Sequence, residues 1–254
     1  MQDMLTNQLA NIVLMHADDK LMLGHIQSDW TGLAPILEED IAASAMAQDD
    51  LSHALVLYEF LGARFNLDPD AIAFDRDPCD YRCCDLVTIP DDFDWATSLV
   101  KRWITATFSK LGLDRLVNMC EGDLGDRAKR LVDEQAIQVA HLNSWMTRLG
   151  RGSIESHDRM QAALDRLSSS AGMMFEPPDA TLAEDESFCC GRDELFAEWI
   201  KGIGITLDAA SLSATITLPD KSTSGGRRGE HAPHFNDQHA ELTEVRHSDP
   251  ATSW

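Results

Sequence analysis

Helical spacing of apolar residues over unusually long stretches is the feature that most constrains this fold. In the segment 3–28, apolar residues recur every three or four positions, and the same pattern returns in several later segments. A spacing near 3.6 predicts α-helices that bury one face. The sequence has no alternation of strands with helices, no glycine-rich phosphate loop and no repeat of solenoid length. It therefore predicts an all-α protein.

Proline and glycine residues divide this pattern into separate helices. Pro35 suits the first position of a second helix, and Gly150 with Gly152 ends a fourth. The predicted helices cover 3–28, 35–63, 94–113, 124–149, 154–175 and 192–203. Residues 66–93 contain three prolines and are predicted to be a long connection, and 214–218 are predicted to be a short β-like stretch. Long helices joined by such a connection favour a helical bundle with a crossover.

The last 36 residues differ from the rest in composition. We predict a helical bundle domain over 1–218 and a C-terminal arm over 219–254 that is either flexible or docked against a partner. The arm contains the basic stretch Gly225–Gly229 and four of the nine histidines, namely His231, His234, His239 and His247. In an acidic protein, Arg227 and Arg228 are candidates for contact with an acidic partner or a ligand phosphate. His231 is a third candidate for the same contact.

The charge of the chain excludes several function classes. Asp and Glu total 43 against 21 Lys and Arg, which gives a formal net charge of −22. Such a chain repels nucleic-acid backbones and anionic lipid surfaces. The sequence contains no run of 18 apolar residues, so no membrane-spanning helix is expected. The first 20 residues lack the basic region that begins a secretion signal. The sequence has six cysteines, and four of them form two adjacent pairs, which is not the pattern of a disulfide framework. Because a reducing compartment keeps cysteines as thiols, a cytoplasmic location is expected.

One pair of polar residues on the second helix is the best candidate for chemistry. Asp50 and His53 lie three residues apart, on one face, within an otherwise apolar stripe. Burial of such groups requires a partner or a metal. A carboxylate and a histidine at this spacing are the ligands of di-iron carboxylate bundles. A polar network that holds helices in register and a single-metal site are the two other interpretations.

The remaining ligands of a di-iron centre are incomplete in this sequence. On the fourth helix, Glu134 is followed three positions later by Ile137 instead of histidine, and His141 lies two turns away. The third helix has no acidic residue between Trp95 and Leu113. Asp50, His53 and Glu134 are therefore predicted to be degenerate ligand positions that hold no metal.

Several stretches, in the same order along nearly the whole chain, resemble the PaaC family, the structural ferritin-like subunit of bacterial phenylacetyl-CoA epoxidase. They are Asp18-Asp19, Trp30–Pro35, Leu37–Ala42, Ala73–Asp77, Trp145–Gly150, Met160–Ala163, Leu218–Asp220 and Gly225–His231. The resemblance implies an all-α, ferritin-like bundle with additional C-terminal helices and an extended tail. It also implies a non-catalytic subunit of a monooxygenase in aerobic phenylacetate degradation.

The catalytic relative of that family, the PaaA type, has two Glu-x-x-His helices. The segment 48–53 is similar to one of them, with Asp50 at the glutamate position. Glu134 falls where the second motif begins, and Ile137 falls where its histidine is expected. Lys20 and Thr105 lie near the two other carboxylate positions, so the resemblance implies a lost ligand set.

The resemblance further implies the partners of this chain. They are a PaaA-type catalytic subunit with the di-iron centre, a small accessory subunit and an NADPH-dependent reductase, with no cofactor in this chain itself. The parent reaction is epoxidation of the aromatic ring of phenylacetyl-CoA by O₂. A self-sufficient di-iron or metal-dependent oxygenase with a degenerate ligand set is the alternative, and a stand-alone helical binding protein is the third hypothesis.

Overall fold

The computed structural model describes residues 1–119, 122–178, 191–220 and 223–248. Within these ranges the chain forms helices, 3₁₀ turns and irregular segments, without a β-strand. The helices are α1 Gln2–Leu5, α2 Gln8–Ser28, α3 Leu37–Phe65, α4 Pro69–Phe74, α5 Asp85–Thr88, α6 Trp95–Met119, α7 Asp123–Gly150, α8 Ile154–Ala171, α9 Arg192–Ala210 and α10 Pro233–Ser248. The predicted all-α, ferritin-like class with additional C-terminal helices is confirmed.

The chain forms two compact units. The first combines Met1–Pro90 with Ser224–Trp254, and the second covers Asp91–Thr223. Each unit is built on one long helical hairpin, which is α2 with α3 in the first and α6 with α7 in the second. None of the described helices is both long and apolar enough to cross a bilayer. These units divide the chain at different residues from the boundary predicted at 218.

Local capping residues set the ends of the first hairpin. The Asn7 side chain accepts a hydrogen bond from the Ala10 amide at 3.0 Å and starts α2 after a short break that the periodicity did not indicate. Ile36 is extended, so α3 begins at Leu37, and Pro35 lies before the helix instead of at its first position. Asn66, with φ of 52°, ends α3 in the left-handed conformation that asparagine tolerates better than most residues.

The predicted connection 66–93 contains short helical pieces. Asp68 caps the first of them, α4, and Pro69 occupies its first position. A 3₁₀ turn at Pro78–Asp80 and the four-residue α5 follow. Each piece is too short to show helical periodicity, which explains why the sequence pattern indicated only a connection.

In the second unit, α8 and α9 pack against the α6–α7 hairpin. Helix α9 extends seven residues beyond the predicted end at 203 and stops at Ser211, whose φ is 58°. The predicted β-like stretch 214–218 is wrong, because these residues are irregular and pair with no strand in the described part of the chain. The Gln161 side chain instead accepts from the Ser213 amide and donates to its carbonyl, which satisfies the backbone at the start of this segment.

The described part of the C-terminal arm, 223–248, contains a 3₁₀ turn at Gly226–Arg228 and the helix α10. Within the first unit, Phe235 of α10 is buried with its ring edge-on to Tyr81. Arg246 of α10 donates to both carboxylate oxygens of Asp75, at 3.1 and 2.9 Å. This part of the arm is therefore ordered against its own chain.

Gly226 allows the arm to approach the backbone at Cys83 closely. A pair of glycine substitutions tests this role. A Cβ added at Gly226 would overlap the backbone carbonyl oxygen of Cys83, whereas a Cβ at Gly202 of α9 would meet open space. We expect Gly226→Ala to lower the free energy of unfolding by about 1–3 kcal/mol. The control Gly202→Ala should raise it by up to about 1 kcal/mol, because alanine favours a helix. Urea denaturation measures both, and an unchanged stability of Gly226→Ala would contradict the close approach.

Candidate functional site

The inward face of the first hairpin holds a buried ion pair. Lys20 of α2 and Asp50 of α3 meet with Nζ 2.5 Å from Oδ1, and their side chains are 3% and 1% exposed. His53, one turn further along α3, is also buried. The prediction that Asp50 and His53 both point into the core is therefore confirmed. The group that accompanies Asp50 is an ammonium from the same unit.

The second hairpin corrects the predicted register of α7. Glu134 is exposed, and Ile137 is 73% exposed, so neither residue occupies an inward ligand position. Gln135 and Gln138 are the buried pair, and Gln135 Nε2 donates to Gln138 Oε1 at 3.0 Å. The inward counterpart of a Glu-x-x-His motif is thus Gln-x-x-Gln, one residue later than predicted.

A sequence signal for this register was available. Gln135 and Gln138 continue a stripe of buried side chains along α7 that consists of Leu131, Gln135, Gln138, Leu142 and Met146. The steps of four and three residues follow the helical period. Placing the motif on the acidic residue Glu134 leads to the wrong register for this helix.

The inward residues of α6 are neutral or cationic. Thr105 is buried, and its hydroxyl donates to backbone carbonyls one turn earlier, those of Lys101 and Arg102. Lys101 is fully buried with its Nζ 3.8 Å from Asp91 Oδ2. Burial lowers the pKa of Lys101 to about 8. The buried polar side chains of α6 therefore include no carboxylate.

These residues do not fit a di-iron centre. Iron in such bundles is held by carboxylates and imidazoles. In the first unit, Asp50 and His53 are such groups, but Lys20 contacts Asp50. In the second unit, the corresponding positions carry amides and a hydroxyl. An ammonium in contact with Asp50 neutralises its carboxylate and repels a cation. Across the described ranges, no three His, Cys, Asp or Glu side chains form a group that could hold a metal ion.

The two aspartates of α2 bind arginines from distant segments. Asp18 accepts from both terminal nitrogens of Arg76 and from the Tyr58 hydroxyl at 2.7 Å. Asp19 faces Arg227 of the C-terminal arm, with two Nη–Oδ distances of 2.7 Å. Although burial disfavours the charged guanidinium, Asp19 raises the pKa of Arg227 above its ordinary value. Both arginines are therefore charged structural partners of α2.

This arrangement corrects the role predicted for Arg227 and His231 of the arm. Arg227 is fully buried and also donates to the carbonyls of Met15 and Arg82, so it does not reach a partner or a phosphate. The His231 side chain is buried too, and its ring stacks on Phe235 with centroids 3.6 Å apart. Arg228 is half-buried, and its contact with a partner or a phosphate stays a prediction. The arm uses Arg227 and His231 to hold its own fold.

The fold and its inward residues together define a class, an all-α ferritin-like protein in which the polar positions of each hairpin pair with one another. The chain matches the family model for phenylacetic acid catabolic proteins over residues 1–254, and it belongs to that family. It is 25% identical over 255 residues to the C subunit of 1,2-phenylacetyl-CoA epoxidase from Escherichia coli strain K12. That alignment covers 98% of this chain and 100% of the relative.

Removal of Lys20 tests the ion pair of the first hairpin. In Lys20→Met, the Asp50 carboxylate remains buried without its cation, and we expect the free energy of unfolding to fall by about 3–5 kcal/mol. The double variant Lys20→Met/Asp50→Leu should recover most of this loss, since an apolar pair has no charge to desolvate. Urea denaturation of both variants measures the difference. If the double variant loses as much stability as the sum of the two single variants, the pairing is contradicted.

His16 of α2 predicts a pH dependence of stability. Burial, together with Arg227 and Lys20, lowers its pKa from 6.5 to about 3. Between these values the unfolded chain binds a proton that the native chain does not, so this histidine lowers stability as pH falls from 6.5 towards 3.

The contribution of His16 approaches about 1.4 kcal/mol per pH unit. In His16→Gln this contribution disappears, and the free energy of unfolding between pH 7.5 and 4.5 should fall less steeply than in the parent. Denaturation at several pH values measures both slopes. Equal slopes would mean that His16 titrates at its ordinary pKa in the native protein.

Proposed function

We propose that this chain is the structural subunit of a phenylacetyl-CoA epoxidase-type monooxygenase and that it binds no iron itself. The observation that carries the proposal is the Lys20–Asp50 pair, which places an ammonium beside the carboxylate of the Asp-x-x-His motif. The buried Gln135 and Gln138 support it, because neutral amides are weak ligands for iron. Membership in the family and the likeness to the epoxidase's C subunit supply the biological setting.

The catalytic work in this proposal belongs to a PaaA-type partner. The partner holds the di-iron centre and epoxidises the aromatic ring of phenylacetyl-CoA, with electrons from an NADPH-dependent reductase. The assembly also includes a small accessory subunit, and a cytoplasmic location remains our prediction.

The physical role of this chain is to present a rigid helical surface against which the partner's ligand helices pack. The chain is suited to this role because buried ion pairs join α2 of the first unit to α3, to Arg76 and to Arg227.

Co-expression with the PaaA-type subunit, followed by separation and iron analysis of each chain, tests the proposal. We expect a stable complex in which iron remains with the partner and this chain has none. His53→Gln in this chain should leave the iron content of the complex unchanged, because His53 is not a ligand. The matched control is replacement of the ligand histidine in the partner, which should remove the iron.

Two results would overturn this proposal. Two equivalents of iron in the isolated chain, lost in His53→Gln, would establish the metal-dependent oxygenase instead. Failure of the chain to bind the PaaA-type subunit would reject the structural role.

A further inference from the structure

The C-terminal arm completes the first unit from the far end of the chain. That unit combines Met1–Pro90 with the residues from Ser224 onward, and the whole second unit lies between them in the sequence. We name residues 224–248 the strap. Because a long stretch of chain separates the strap from the hairpin of α2 and α3, ordering it costs entropy, which its own buried contacts must offset.

The strap buries few side chains of its own. Three of the sixteen residues of α10 are buried, namely Phe235, His239 and Thr243. In α2, by contrast, most residues are buried. In the turn before α10, the guanidinium of Arg227 is fully buried against the Asp19 carboxylate. The Phe235 ring and this ion pair are therefore the main anchors of the strap.

Several ring nitrogens that the strap buries have no hydrogen-bond partner among the described residues. They are both ring nitrogens of His231, and the Nε2 atoms of His234 and His239. Nδ1 of His231 lies 3.7 Å from Asp85 Oδ1, which is beyond hydrogen-bond distance. A buried polar atom without a partner costs free energy, and water satisfies the same atom when the strap is open. These nitrogens therefore reduce the stability of the docked strap.

We propose that the strap is a conformational device that opens as one unit from the first hairpin while α2 and α3 stay folded. Segments with few buried apolar contacts open before the core of a protein, and the strap has this character. Opening returns its imidazoles and the Arg227 guanidinium to water, and it uncovers Asp19 of α2. The backbone carbonyl of Cys83, against which Gly226 packs, is uncovered as well. The strap thus controls whether solvent reaches this part of the first unit.

Native-state hydrogen exchange of the full chain, read by mass spectrometry of its peptides, tests this opening. After correction for intrinsic exchange rates, the amides of α10 should exchange about 100-fold or more faster than the slowest amides of α2 and α3. The amides inside α10 should share one protection factor, because they open together. Equal protection of the three helices, or protection that fades steadily along α10, would overturn the proposal.

Replacement of the buried arginine separates this opening from general unfolding. In Arg227→Met the Asp19 carboxylate loses its cation in the docked state, whereas water solvates it in the open state. The exchange of α10 should therefore become about 100-fold faster or more and approach the rate of an unfolded peptide. The amides of α2 and α3 should remain protected, because the hairpin stays folded when the strap is open. Loss of protection in all three helices would contradict a separate opening of the strap.

The matched control removes a second arginine–aspartate pair of the strap. Arg246 of α10 donates to both carboxylate oxygens of Asp75, as Arg227 does to Asp19, but the Arg246 pair is exposed to solvent. An exposed pair contributes little, so in Arg246→Gln the exchange of α10 should change less than about fivefold. An effect as large as that of Arg227→Met would reject the Arg227–Asp19 pair as the anchor of the strap. These measurements use the chain alone, so their outcome does not depend on the proposed function.

Discussion

Three consecutive charged side chains, Asp18, Asp19 and Lys20, lie buried in the middle of α2, and the first unit is organised around the need to neutralise them. A buried charge without a partner costs several kcal/mol, so each of the three requires an opposite charge from elsewhere in the chain. Arg76 comes from the segment after α4, Arg227 from the C-terminal arm and Asp50 from α3. One turn of helix thereby anchors three segments that lie far apart in the sequence.

The same pairing decides what the core can do chemically. A carboxylate that faces iron must be balanced by the metal, whereas Asp50 is balanced by Lys20. In the second unit, the corresponding inward positions carry neutral groups. They are the Gln135–Gln138 amide pair on α7 and the Thr105 hydroxyl on α6. At these positions the polar residues pair within their own unit, which stabilises each hairpin.

The sequence by itself determined the long helices, their order and the inward position of Asp50 and His53, because helical periodicity is a local property that depends on residues a few positions apart. It also supported the family, through short motifs in the right order. The tertiary structure alone decided that α9 reaches Ala210 and that Arg227 is buried. Each of these depends on which distant group satisfies a buried charge or backbone atom, and contacts such as that of Asp19 with Arg227, 208 residues apart, leave no periodic trace in the chain.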